Sequence, residues 1–83
     1  MNRNDFTVYI VDDDQSVRDA LGLMLSVRSY KTALFADAAS FLDGYRPDWR
    51  GCLLLDLRMP GMDGLTLQQR LNESGCDMPV IVI

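Results

Sequence analysis

Two apolar runs of strand length, VYIV at 8–11 and LLL at 53–55, stop abruptly at aspartates. Short runs that are apolar at every position are strands buried on both faces, because alternation appears only where one face meets water. The first run meets three acids in a row, Asp12, Asp13 and Asp14; the second meets Asp56. Adjacent carboxylates repel, and each needs solvent or a partner. The chain must therefore bury two strands side by side in the sequence sense while releasing charge at their carboxyl ends.

Between the runs the periodicity changes. FTVYIV at 6–11 predicts strand one. From Ser16, residues Val17, Ala20, Leu21, Met24 and Leu25 recur at helical spacing. This predicts a helix to about Arg28, with Asp14, Gln15 or Ser16 at its N-cap. KTALF at 31–35 predicts strand two. Ala38, Phe41, Leu42 and Tyr45 predict a helix over 37–45, stopped by Gly44 and Pro47. GCLLLD at 51–56 is strand three, and LRMPGMDG at 57–64 is a loop by its Pro and Gly content. A third helix over 65–75 and a fourth strand over 78–83 complete a βαβαβαβ order. Strands alternating with helices predict a parallel sheet covered on both sides.

Length and charge narrow the function. Eighty-three residues make one small domain. A net charge of −4 argues against a nucleic-acid surface, which needs excess Lys and Arg. Lys31 is the only lysine, and arginines 3, 18, 28, 46, 50, 58 and 70 are scattered. Without histidine there is no His-based triad, no His-ligated zinc and no phosphohistidine on this chain. Cys52 and Cys76 form no CxxC pair, and a reduced, cytoplasmic protein is the simplest reading. No apolar run reaches the ~20 residues of a membrane span, and MNRNDFTVYIV carries no secretory signal. A chain ending on VIVI would leave an uncharged apolar edge, so the expectation is an incomplete domain.

In an open parallel sheet, sites form beyond the carboxyl ends of the strands. If strands one and three are neighbours, Asp12, Asp13 and Asp56 converge there. A hard divalent cation with oxygen ligands, Mg²⁺ above all, would relieve their repulsion. A carboxylate beside such an ion can attack phosphorus and form an acyl phosphate. Asp56, presented singly, is the candidate nucleophile; Asp12 and Asp13 are the candidate metal holders. Three solvated acids in unrelated turns would be the plain alternative.

These residues carry a resemblance. VDDD after strand one, LLLDLRMPGMDG after strand three and PVIVI as strand four resemble the receiver domain of two-component response regulators, in the style of FixJ-type transcription factors. The resemblance implies a flavodoxin-like doubly wound parallel sheet of order 2-1-3-4, with a fifth strand and the last helices absent from residues 1–83. It implies that Asp56 is the phosphoacceptor, catalytic only in its own phosphotransfer. Asp13 would be a direct Mg²⁺ ligand, Asp12 would assist, and the backbone carbonyl of Arg58 would be a further ligand beside Asp56. Met59, Pro60, Gly61 and Gly64 would shape the loop, and Asp14, where the family varies, would cap a helix or stand as a solvated acid. A histidine kinase in trans would be the donor, and a receiver–receiver or segment-exchanged dimer would be a possible assembly. The family's Ser or Thr after strand four and its Lys ending strand five fall beyond Ile83, and Lys31, opening strand two, cannot replace the latter. The expectation is weak phosphorylation of this chain alone.

Other readings fit less well. A docking module of the same fold without phosphorylation would not require the acidic set. A haloacid-dehalogenase-type phosphatase wants a second acid two residues after its nucleophile, where this chain has Arg58. Consecutive acids also fail the alternating ligand pattern of an EF-hand. Trp49 is read as a surface-loop cover for the second helix, and Gln68–Arg70 as a solvated face.

Overall fold

The computed structural model describes residues 6–59, 61 and 63–83. The elements run β1 (Thr7–Val11), α1 (Gln15–Val27), β2 (Lys31–Phe35), α2 (Ala38–Gly44), β3 (Gly51–Leu55), α3 (Gly64–Glu73) and β4 (Val80–Val82). All three strand pairings are parallel, in the order β2-β1-β3-β4. The expected order of elements and strands is observed. The fourth strand is shorter than the apolar run at 78–83 suggested, because Pro79 has no N–H to give a ladder.

Register fixes the two faces of the sheet. Thr7 to Val11 pair with Lys31 to Phe35 on one side and with Gly51 to Leu55 on the other. Tyr9, Val11, Leu53 and Leu55 project to one face, where they pack with Ala38 and Phe41 of α2, Leu67 and Leu71 of α3, and Met59. Ile10, fully buried, projects to the opposite face. There α1 lies across β1 and β2, with Gly22 letting the Leu34 methyls approach the helix axis.

The α1 face is less covered than its periodicity suggested. Gly22 is its one buried position; Leu21 and Leu25 are half-buried, and Val17 and Met24 are exposed. A single helix covers that side among the described residues, so half of its apolar stripe has no partner.

Trp49 also differs from its expected role. Its ring stacks on Tyr9 at 4.5 Å between centroids and 7° between planes, and meets the edges of Phe41 and Tyr45. It covers α2 as expected, but it also plugs the aromatic end of the core. Gly51, just beyond Trp49 in the chain, opens β3 in close register with β1: a Cβ there would lie 1.7 Å from the Thr7 carbonyl oxygen, at a φ of +149°. Both cysteines are half-buried free thiols. Among the described residues no helix is long and apolar enough to cross a membrane.

Candidate metal and phosphoacceptor site

The register that pairs Val11 with Leu55 places the next residues, Asp12 and Asp56, on adjacent strand ends. Each is fastened to the sheet by one more ladder bond. The Asp12 N–H donates to the Phe35 carbonyl (3.2 Å), and the Asp56 N–H donates to the Val11 carbonyl (3.0 Å). Backbone pairing, not loop packing, thus brings the two carboxylates together. Asp13 joins them: one oxygen from each of Asp12, Asp13 and Asp56 lies within 4.8 Å of the others.

The three acids differ in surroundings. Asp12 is buried at 4% exposure, Asp56 is half-buried and Asp13 is exposed. Burial pushes the Asp12 carboxyl up from its ordinary value, and the charges of Asp56 and Asp13 push the same way; the Asp14 N–H opposes them. That N–H donates to Asp12 Oδ1 at 2.9 Å, so one oxygen of the buried carboxylate is committed to the turn. Asp56 Oδ1 is likewise held, by the Arg58 N–H at 2.9 Å.

The turn after β1 is set by Asp14. Its carboxylate accepts from the Ser16 and Val17 N–H groups (2.8 and 3.4 Å) and caps α1; the Ser16 side chain first, and these N–H groups after it, hold its pKa below the ordinary value. Of the two readings of Asp14, helix cap or solvated acid, the cap is the one observed. The loop after β3 is set by a plug and a close approach. Met59 is buried in the core. Gly64 opens α3 so near β3 that a Cβ would lie 2.8 Å from Leu57 Cα and 3.0 Å from the Asp56 carbonyl oxygen. Gly61 adopts a φ of +79°. Pro60 lies outside the described residues.

Above the acids lies a cleft of about 470 Å³ lined by Asp12, Val17, Asp56, Leu57, Arg58 and Ile83. All four residues singled out in sequence are thus at one end of the sheet. Asp12, Asp13 and Asp56 converge, and Arg58 stands on the wall with its N–H turned to Asp56. The donor set is three carboxylates with no soft ligand, which suits a hard divalent ion such as Mg²⁺. Arg18, counted only among scattered arginines in sequence, is a fifth member. Its Nη1 donates to the Asp12 carbonyl at 2.7 Å. No spacing signal marks it, because its reach depends on a side-chain rotamer.

Comparison with known proteins agrees with this geometry. Residues 8–83 match the family described as the response regulator receiver domain. The transcriptional regulatory protein FixJ of Azorhizobium caulinodans is 42% identical over 76 residues, which cover 92% of this chain and 36% of that protein. The transcriptional regulatory protein TdiR of Thauera aromatica is 42% identical over 80 residues, covering 96% of this chain and 35% of that protein. Among solved structures, the response regulator StyR superposes with a TM-score of 0.89 at 42% identity, over 92% of this chain and 38% of that one. The FixJ N-terminal structure gives 0.84 at 40% identity, over 93% of this chain and 62% of that one. The chain thus spans little more than a third of the curated relatives it matches.

Proposed function

Because this chain belongs to the response regulator receiver domain family, we propose that Asp56 accepts a phosphoryl group from the phosphohistidine of a histidine kinase. The observation that carries the reading is the paired register of β1 and β3, which sets Asp12 and Asp56 side by side with Asp13 within reach.

The carboxylate is prepared for one mode of attack. Asp56 Oδ1 is held by the Arg58 N–H, which leaves Oδ2 as the attacking oxygen. That oxygen forms a bond to phosphorus as the phosphorus–nitrogen bond of the donor breaks. The electron pair leaves with the imidazole, which takes a proton, and the product on this chain is an acyl phosphate. Asp12 and Asp13 would hold Mg²⁺ with Asp56 and the Arg58 carbonyl. When bound, the ion offsets the negative charge gathered between carboxylates and phosphoryl oxygens. Val17, Leu57 and Ile83 give the cleft its carbon wall. The chain would act on no separate substrate; its chemistry would be its own phosphorylation and hydrolysis. Relatives named as transcriptional regulators suggest that the modified state controls a DNA-binding effector in the cytoplasm.

Intact-mass spectrometry after incubation with acetyl phosphate and Mg²⁺ tests the reading. It is run on this chain and on a chimera completed with the remaining receiver segment of FixJ, each beside its Asp56→Asn variant. One added phosphate on the chimera, absent from the variant and from samples with chelator, is expected, with a smaller fraction on the chain alone. No adduct on a folded, Mg²⁺-binding chimera would leave docking without phosphorylation as the better account.

A further inference from the structure

We propose that Arg18 is the positioning residue of the acidic site: it clamps the backbone from which Asp12 and Asp13 project. The inference rests on the proposed Mg²⁺ site and extends it to a residue that would touch neither ion nor phosphoryl group.

The end of β1 poses a backbone problem. Asp12 gives its N–H to β2, and Asp56 gives its N–H to the Val11 carbonyl. The Asp12 carbonyl then faces the start of α1. Arg18, one turn into α1 and half-buried, reaches back six residues and donates Nη1 to that carbonyl at 2.7 Å. The peptide between Asp12 and Asp13 is therefore held by a charged donor on a helix. That helix is itself capped by Asp14, whose own N–H holds Asp12 Oδ1. The Asp14 cap and the Asp14 N–H close the turn from within, and Arg18 adds a side-chain bond from the helix to the Asp12 carbonyl.

The direction of that bond matters. The guanidinium donates to a carbonyl, where it orients a peptide, and the carboxylate that feels its charge is Asp14, which is not one of the candidate ligands. The two roles predict opposite signs. A countercharge, once removed, would let the acids bind Mg²⁺ more tightly. A clamp, once removed, lets Asp12 and Asp13 wander and weakens binding. Partners that orient metal ligands without touching the metal commonly change affinity tenfold or more.

The test is Mg²⁺ titration followed by amide NMR shifts at residues 12–14 and 56–58, for the parent chain, Arg18→Met and Arg18→Lys. Arg18→Met should raise the Mg²⁺ Kd about tenfold. Arg18→Lys, which keeps the charge without the planar reach, should fall between the two. In metal-free samples the Asp13 and Asp14 amides of Arg18→Met should already be shifted and exchange faster, while the β3 amides stay protected; this shows a loosened turn in a folded protein. A parent that binds Mg²⁺ beside variants of equal or tighter affinity would overturn the clamp alone. A parent that binds none would overturn the metal site and the clamp with it.

Discussion

Asp12 does two things that conflict. It belongs to the acidic set, and it is the most buried of the three carboxylates. Its raised pKa means that the folded state binds the proton more tightly than the unfolded state. Its contribution to stability is therefore present when the group is protonated and is lost as pH rises through its folded value. At neutral pH the ionised carboxylate is a cost kept for ligand binding, as strained functional groups commonly are. Asp12→Asn keeps an oxygen to accept the Asp14 N–H and removes the charge. Without metal it should unfold at a higher temperature than the parent at pH 7. With Mg²⁺ at a hundredfold its Kd, the parent should gain about 2.7 kcal/mol, and the variant should gain less at the same Mg²⁺ concentration. A parent that outlasts the variant without metal would mean that burial does not burden this carboxylate.

At the scale of elements, an aspartate caps each of the three helices. Asp14, Asp37 and Asp63 accept N–H groups from Ser16, Ser40 and Thr66; the Ser16 and Ser40 side chains first and the backbone N–H groups after them hold Asp14 and Asp37 below their ordinary value, and the Thr66 N–H leads for Asp63. A lowered folded pKa gives stability that is whole above the unfolded value and is lost as pH falls through the folded one. Acid should therefore loosen the helix starts below about pH 4. Asp37→Asn separates capping from titration, since Asn caps nearly as well and does not ionise. Its stability at pH 7 should match the parent's within the error of a urea titration, and its decline between pH 4 and 2 should be shallower. An unchanged acid slope would show that Asp37 does not contribute to it. Legibility at this scale followed local chemistry. Asp14 was readable as a cap because it precedes a helical period, and β2 at 31–35 was readable from its β-branched and aromatic residues. The partial exposure of α1 was readable from the resemblance, whose larger fold covers that helix, and not from its stripe of Val17, Leu21 and Met24, because a stripe says which residues can be covered and not what covers them.

At the scale of the molecule, one face of the sheet carries most of the core. Phe41, fully buried, contacts Tyr9, Phe35, Tyr45 and Trp49 at ring separations of 5.2 to 6.1 Å. Phe41→Ala should cost about 3–5 kcal/mol, a large share of what a small domain holds. Loss of the cooperative urea transition, read by Trp49 fluorescence, checks this. An intact transition would place the core elsewhere. Trp49 was legible only as a cover, because its stacking on Tyr9 depends on how the loop at 45–50 returns to the sheet. Asp12, Asp13 and Asp56 were legible because strand ends on one sheet edge cannot avoid one another once register is set. Arg18 was not, because its bond is made by a flexible side chain over six residues.

Whether Asp56 takes the phosphoryl group can be read at the residue itself by borohydride trapping. The completed chimera is phosphorylated with acetyl phosphate and Mg²⁺, reduced, digested and sequenced by mass spectrometry. An acyl phosphate on aspartate is reduced to homoserine, which marks the modified residue itself. Homoserine is expected at position 56 and at no other aspartate. Homoserine at 12 or 13, or none in a sample that binds Mg²⁺, would contradict Asp56 as the acceptor.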